Sequence, residues 1–140
     1  MTLVSLTDLK EFSKKIPLPA GILLLKGDLG SGKTTFTKTL LTNLKISEEL
    51  VNSPTFSLIQ EYNAENGLKI YHLDLYRLKN QQELQSIGIE DILAESDKAL
   101  IIIEWPEILG ELSYNHLLIE FEHTSKAEFR EIKLKQVLKQ

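Results

Sequence analysis

The chain has no cysteine, one methionine and one tryptophan. Missing thiols exclude disulfides and thiolate metal centres and fit a reducing cytoplasm. Long apolar runs are missing too. None approaches the about 20 residues that a membrane span needs, and no charged-then-apolar leader opens the chain. A soluble, cytoplasmic protein without a membrane partner is therefore expected. The chain also lacks basic excess. A net charge of −4 argues against a broad electrostatic surface for nucleic acid, so any such contact has to come through a partner. Repeats, low-complexity tracts and linker-like stretches are absent. The 140 residues are read as one domain (1–140), large enough to bury about 70% of its unfolded surface.

What the chain does have is a phosphate-binding loop. Residues Gly27 to Thr34 read Gly-Asp-Leu-Gly-Ser-Gly-Lys-Thr, a complete GxxxxGK[ST]. The apolar run Gly21–Leu25 precedes it and a helical pattern follows, the context that gives the match its value. Glycines let successive backbone N–H groups turn inward around phosphate oxygens, and the helix N-terminus adds a favourable dipole. Lys33 is expected to reach the β- and γ-phosphates, and the Thr34 hydroxyl to ligate Mg²⁺. The chemistry expected of this chain is binding of a nucleoside triphosphate.

Periodicity supplies the frame. Leu6, Leu9, Phe12 and Ile16 predict an N-terminal amphipathic helix with Thr7 near its cap. Gly21–Lys26 is the first strand of the loop unit, and Phe36, Leu40, Leu41 and Leu44 line one face of the helix after it. Thr55–Tyr62 and Leu68–Arg77 read as strands joined by the turn-rich segment Asn63–Gly67. Asn80–Ser86 and Ile89–Ala94 read as short helices broken at Gly88. Ala99–Trp105 is the most apolar strand, suited to cover on both faces. His116–His123 and Phe129–Val137 alternate as the last two strands. The expected class is α/β: a P-loop NTPase-like sheet with flanking helices and an inserted antiparallel hairpin.

A phosphate loop needs an acidic partner to hold Mg²⁺ directly or through water. Glu104 ends the apolar strand at the carboxyl edge of a presumed parallel sheet, where ligands gather. Asp74 lies in Ile70–Arg77, and a period of two puts His72, Asp74 and Tyr76 on one face. Asp74 could otherwise be a solvated carboxylate or a partner of Arg77, and Trp105 could be plain core. Which carboxylate touches the metal is left open. Ser53-Pro54-Thr55-Phe56 occupies the position of a switch segment, where Thr55 can sense the γ-phosphate or Mg²⁺. His72, His116 and His123 show no metal-ligand spacing.

These motifs together resemble the bacterial TsaE family, also called YjeE. The segments carrying the likeness are Gly27–Phe36, Ser53–Phe56, Tyr71–Leu78 (YHLDLYRL), Ile87–Asp91 and Ile103–Pro106 (IEWP), in order along nearly the whole chain. The family members are ATPase components of the machinery that makes threonylcarbamoyladenosine at position 37 of tRNAs. The resemblance implies an accessory ATPase that docks on the TsaD–TsaB pair, is nearly idle alone, and meets tRNA only through that complex. It implies that Gly30, Ser31, Gly32, Lys33, Thr34 and Thr35 bind the phosphates of ATP or ADP, and that Thr34 and Glu104 hold Mg²⁺. By the same likeness Asp74 supports the metal or the attacking water, with Lys33, Asp74 and Glu104 as the catalytic set. Thr55 belongs to the switch-like loop, Thr7 approaches the nucleotide, and Arg130, with Ile132 and Leu134 on its strand face, lies near the base.

Other functions fit less of the chain. A small regulatory GTPase would carry DxxG after the switch segment and an NKxD guanine-reading motif, and neither occurs. A small-molecule kinase would need an arginine-bearing lid, whereas Arg77 and Arg130 are the only arginines. A nucleotide-gated scaffold without significant hydrolysis uses the same residues as an ATPase, and sequence does not separate the two.

Overall fold

The computed structural model describes residues 2–5, 8–14, 20–52 and 58–139. Through them the chain runs β1 (Thr2–Ser5), α1 (Leu9–Lys14), β2 (Gly21–Lys26), α2 (Lys33–Asn43), α3 (Glu48–Val51), β3 (Ile59–Asn63) and β4 (Lys69–Asp74). It continues as α4 (Gln81–Ser86), α5 (Ile89–Leu93), β5 (Ala99–Glu104), a 3-10 turn (Pro106–Leu109), β6 (His116–His123) and β7 (Phe129–Val137). The strands form one seven-stranded sheet in the order β1-β7-β6-β2-β5-β4-β3. β2 is parallel to β5 and β6, and β4 is parallel to β5. β3 on one edge, and β1 and β7 toward the other, run antiparallel to their neighbours. This is the expected α/β sheet with its antiparallel hairpin, β3–β4, at one side.

Alternation along the strands sorts the core into two layers. Leu23, Leu25, Ile70, Leu100, Ile102, Ile119 and Phe121 pack beneath α1 and α2, against Phe12, Phe36, Leu40 and Leu41. Phe36 meets Phe12 at 6.1 Å and Phe121 edge-on at 5.7 Å between ring centroids. Ile22, Leu24, Leu73, Ile101 and Ile103 face the other way, onto Leu84, Ile89, Ile92 and Leu93 of α4 and α5. Every residue of β5 is buried, as its unbroken apolar run requires. Truncating one such side chain, Ile102→Ala for instance, carries a cost of about 2–5 kcal/mol.

Local signals set the boundaries. The Asn80 side chain accepts from the Glu83 N–H and caps α4, and Gly88, at φ 79°, separates it from α5. Four expectations needed correction. β1 was not foreseen: four residues are too few for a periodic signal, and pairing with β7 makes it a strand. The first helix begins at Leu9 rather than near Leu6, and Thr7 lies outside the described residues. β4 stops at Asp74 instead of reaching Arg77, because the Asp74 carboxylate accepts the Tyr76 N–H (3.1 Å) and turns the chain. Trp105 falls outside β5, with a left-handed φ of 58°. In β7, Arg130 and Ile132 are buried as a pair, but Leu134 is 46% exposed where that layer runs out.

Candidate active site

Because β2, β4 and β5 are parallel, their carboxyl ends converge on one edge of the sheet. β2 delivers the loop Gly27–Gly32, β5 delivers Glu104, and β4 delivers Asp74, the direct register partner of Glu104. Gly30 (φ 74°) and Gly32 (φ 110°) take left-handed conformations that a side chain disfavours. Gly27 is constrained by space instead: a Cβ there would stand 2.6 Å from Ser31 Oγ and 2.7 Å from the Phe121 carbonyl oxygen. The loop then enters α2, whose first amides have no acceptor within the helix and face the loop's hollow.

Lys33 is the buried cation of this edge, 5% exposed. Its ammonium donates to the Gly27 carbonyl and lies 3.5 Å from the centre of the Trp105 ring. Burial pushes its pKa below the ordinary lysine value, opposed by Glu104, Glu107, Asp74 and Asp28 in turn. Trp105 is only partly buried and also meets the Tyr76 ring at 4.8 Å. It is a wall of the site, not plain core.

Glu104 is 3% exposed, and its two carboxylate oxygens have separate neighbours. The Thr34 hydroxyl stands 3.4 Å from Oε1, and His72 Nε2 stands 2.6 Å from Oε2. His72 Nδ1 is in turn 3.2 Å from Gln60 Oε1, which also accepts from the Tyr62 hydroxyl at 2.9 Å. Asp74 is exposed beside this row. A cavity of about 560 Å³ opens between α2 and the hairpin, bordered by Thr34, Glu104, His72, Gln60, Tyr62 and Asp74.

The loop is tied from behind by β6 and β7. Arg130, 7% exposed, donates to the carbonyls of Gly30 (3.0 Å), Ala127 (2.6 Å) and Phe129 (2.9 Å). His123 Nε2 lies 3.3 Å from the Leu29 carbonyl.

A protein-family model described as threonylcarbamoyl adenosine biosynthesis protein TsaE matches residues 3–132. The chain belongs to the TsaE family. A Borreliella burgdorferi protein named "tRNA threonylcarbamoyladenosine biosynthesis protein TsaE" is 46% identical over 100 residues, 69% of this chain and 70% of that protein. The Bacillus subtilis protein of the same name is 40% identical over 93 residues, 66% of this chain and 55% of that protein. The crystal structure of Bacillus subtilis YdiB superposes with a TM-score of 0.72 at 30% identity, covering 96% of this chain and 82% of that one.

Among the residues that the family likeness singles out, Gly30–Thr35, Asp74 and Glu104 share one sheet edge, and Arg130 reaches it through the Gly30 carbonyl. Thr7 and Thr55 lie outside the described residues. Three contributors went unread in sequence. Gln60 and Tyr62 gave no signal, although Gln60 pairs with His72 once the hairpin register is known. His123 was read as a strand-end residue, which it is, but its ring also meets the loop.

The donors fit Mg²⁺ with ATP. Thr34 and Glu104 offer hard oxygen ligands, and no group of three or more His, Cys, Asp or Glu converges as a metal cage among the described residues. Mg²⁺ in phosphate loops takes one or two protein oxygens and leaves the rest to phosphates and water. The buried Ser31 hydroxyl has no hydrogen-bond partner, an orphan donor inside the loop.

Proposed function

We propose that this chain is the ATP-binding and ATP-hydrolysing component of tRNA N6-threonylcarbamoyladenosine formation, with Mg²⁺ bound alongside the nucleotide. The observation that carries the reading is the approach of the Thr34 hydroxyl to the buried Glu104 carboxylate, 3.4 Å, at the mouth of a complete phosphate loop. Family membership supplies the pathway; the geometry supports the chemistry.

The loop amides and Lys33 bind the β- and γ-phosphates, and the Ser31 hydroxyl gains a phosphate acceptor. Thr34 and Glu104 hold the metal, which supplies charge neutralisation at the transferring phosphoryl. Asp74, exposed beside Glu104, orients water at the metal's outer shell. Neither arginine is placed as a finger: Arg130 is committed to loop carbonyls, and Arg77 is exposed beyond the end of β4. Hydrolysis by the isolated chain is therefore slow, and a partner completes the site.

The partner in this reading is the TsaD–TsaB pair. ATP favours the assembled state, hydrolysis resets it, and tRNA is met only through the assembly. Single-turnover hydrolysis with and without that pair is the test. The expected result is tight ATP binding, slow turnover alone, and ATP-dependent association with faster hydrolysis. Rapid multiple turnover by the chain alone, or association indifferent to nucleotide, overturns it. ATP-dependent association without hydrolysis would establish the nucleotide-gated scaffold instead.

A further inference from the structure

The row Tyr62–Gln60–His72–Glu104 is not needed to hold the fold. β3 and β4 are already paired through their backbones, and the apolar layers lie beneath. A buried carboxylate left alone would rotate between neighbours or shed its charge. Here it does neither. Oε2 is engaged by His72 Nε2 at 2.6 Å, which leaves Oε1 as the oxygen turned toward Thr34. The imidazole cannot swing away, because Nδ1 faces Gln60 Oε1 at 3.2 Å and Gln60 is fixed from behind by the Tyr62 hydroxyl. His72 is 15% exposed at the side chain, so water competes little for its ring.

We propose that His72 is a positioning residue that orients the Glu104 carboxylate for the metal, with Gln60 and Tyr62 fixing the imidazole from the hairpin side. The inference rests on the ATPase reading above and adds to it a role for the β3–β4 hairpin. Oε2 belongs to His72, so Glu104 offers the metal a single oxygen, Oε1, aimed at the position shared with the Thr34 hydroxyl. Groups that hydrogen-bond a metal ligand from outside typically control metal affinity 10- to 100-fold. Lys33 and the loop amides touch none of the four residues in the row, so metal-free phosphate binding is independent of it.

The test compares wild type, His72→Ala, His72→Gln and Gln60→Leu in the full chain. ADP affinity is measured first in EDTA, and the Mg²⁺ concentration that half-saturates the tight nucleotide complex is measured next. For His72→Ala, metal-free ADP affinity is expected to stay within about twofold while the Mg²⁺ requirement rises about 10- to 100-fold. His72→Gln, which keeps a donor near the Nε2 position, is expected to recover most of that loss. Gln60→Leu is expected to shift the Mg²⁺ requirement in the same direction by less. A second readout needs no nucleotide: the ¹⁵N signals of the His72 ring should move in Glu104→Ala and lose their hydrogen-bonded N–H resonance. A wild-type Mg²⁺ requirement in His72→Ala, no rescue by glutamine, or His72 ring signals indifferent to Glu104→Ala overturns the inference. Wild-type protein that binds no Mg-nucleotide overturns the ATPase reading itself, a result distinct from failure confined to the variants.

Discussion

Asp74 and Glu104 stand directly opposite each other across the parallel pair β4–β5, yet Glu104 is buried at 3% exposure and Asp74 is open to solvent. The difference arises one residue further on. After Glu104 the backbone turns left-handed at Trp105 into the 3-10 turn, under His72 and Thr34, whereas after Asp74 it turns outward through the Tyr76 amide. Two carboxylates in equivalent strand positions thereby acquire different surroundings, which suit a metal ligand and a water-orienting group respectively.

Separate roles predict separate defects. Glu104→Ala should abolish most of the gain in ATP affinity that Mg²⁺ confers while leaving metal-free binding nearly intact. Asp74→Ala should reduce hydrolysis at least as severely as binding. Titrations with and without Mg²⁺, beside single-turnover rates, check both. Mg²⁺-dependent binding unchanged in Glu104→Ala would retire that residue as a ligand.

Lys33 should trade stability for ligand binding. Its charge-assisted phosphate contacts, about 1.5–3 kcal/mol, imply that Lys33→Met weakens ATP binding roughly 10- to 150-fold. The same change removes a buried cation, and replacing buried charge by an apolar group of similar volume is neutral or stabilising by up to about 4 kcal/mol. The nucleotide-free variant should therefore melt no lower than wild type.

That cation also predicts a pH dependence. Lys33's folded pKa lies below the ordinary value of 10.5, so the unfolded chain binds more protons between the two values. Stability of the nucleotide-free protein should thus rise with pH across that interval, and the rise should vanish in Lys33→Met. Denaturant midpoints measured through the alkaline range test the sign.

Gly27 is the loop position least tolerant of a methyl group. The Phe121 carbonyl, 2.7 Å from where the Cβ of an alanine would stand, is strand backbone of β6 and cannot rotate aside. Gly27→Ala should cost about 1–3 kcal/mol in stability, as overpacking does, and weaken ATP and ADP alike by displacing the loop. Gly67→Ala is the control: nothing lies within 4 Å of a Cβ there, so its only penalty is the left-handed backbone, φ 86°.

Legibility in the sequence followed the range of the interaction. The phosphate loop, the buried strand β5, the hairpin turn and the break at Gly88 are encoded within a few residues, and each appears where expected. β1 exists only through β7, more than 120 positions away, and four residues carry no period of their own. Tyr76 shows the limit of strand periodicity: a period of two placed it beside Asp74, but the strand ends at Asp74 and Tyr76 packs on Trp105. The Gln60–His72 contact required the hairpin register, a relation between two strands that neither segment displays alone.

Arg130 supplies the last prediction, because the structure and the family likeness give it different work. The likeness puts it near the base, while its guanidinium holds three carbonyls, including that of Gly30 in the phosphate loop. Bonds from a charged donor contribute about 1.5–3 kcal/mol, so Arg130→Ala should destabilise the protein by at least that amount. Arg130→Lys should restore little, since a single ammonium cannot span Gly30 and Ala127 together as the planar guanidinium does. Bracing the loop acts on every nucleotide through its phosphates, so ATP, ADP and GTP should weaken by one common factor. A base contact would instead change the ratio of ATP to GTP affinity. Parallel titrations of the folded Arg130→Lys protein with both triphosphates decide the matter: an unchanged ratio fixes Arg130 as the brace of the loop, and a shifted one returns it to the base.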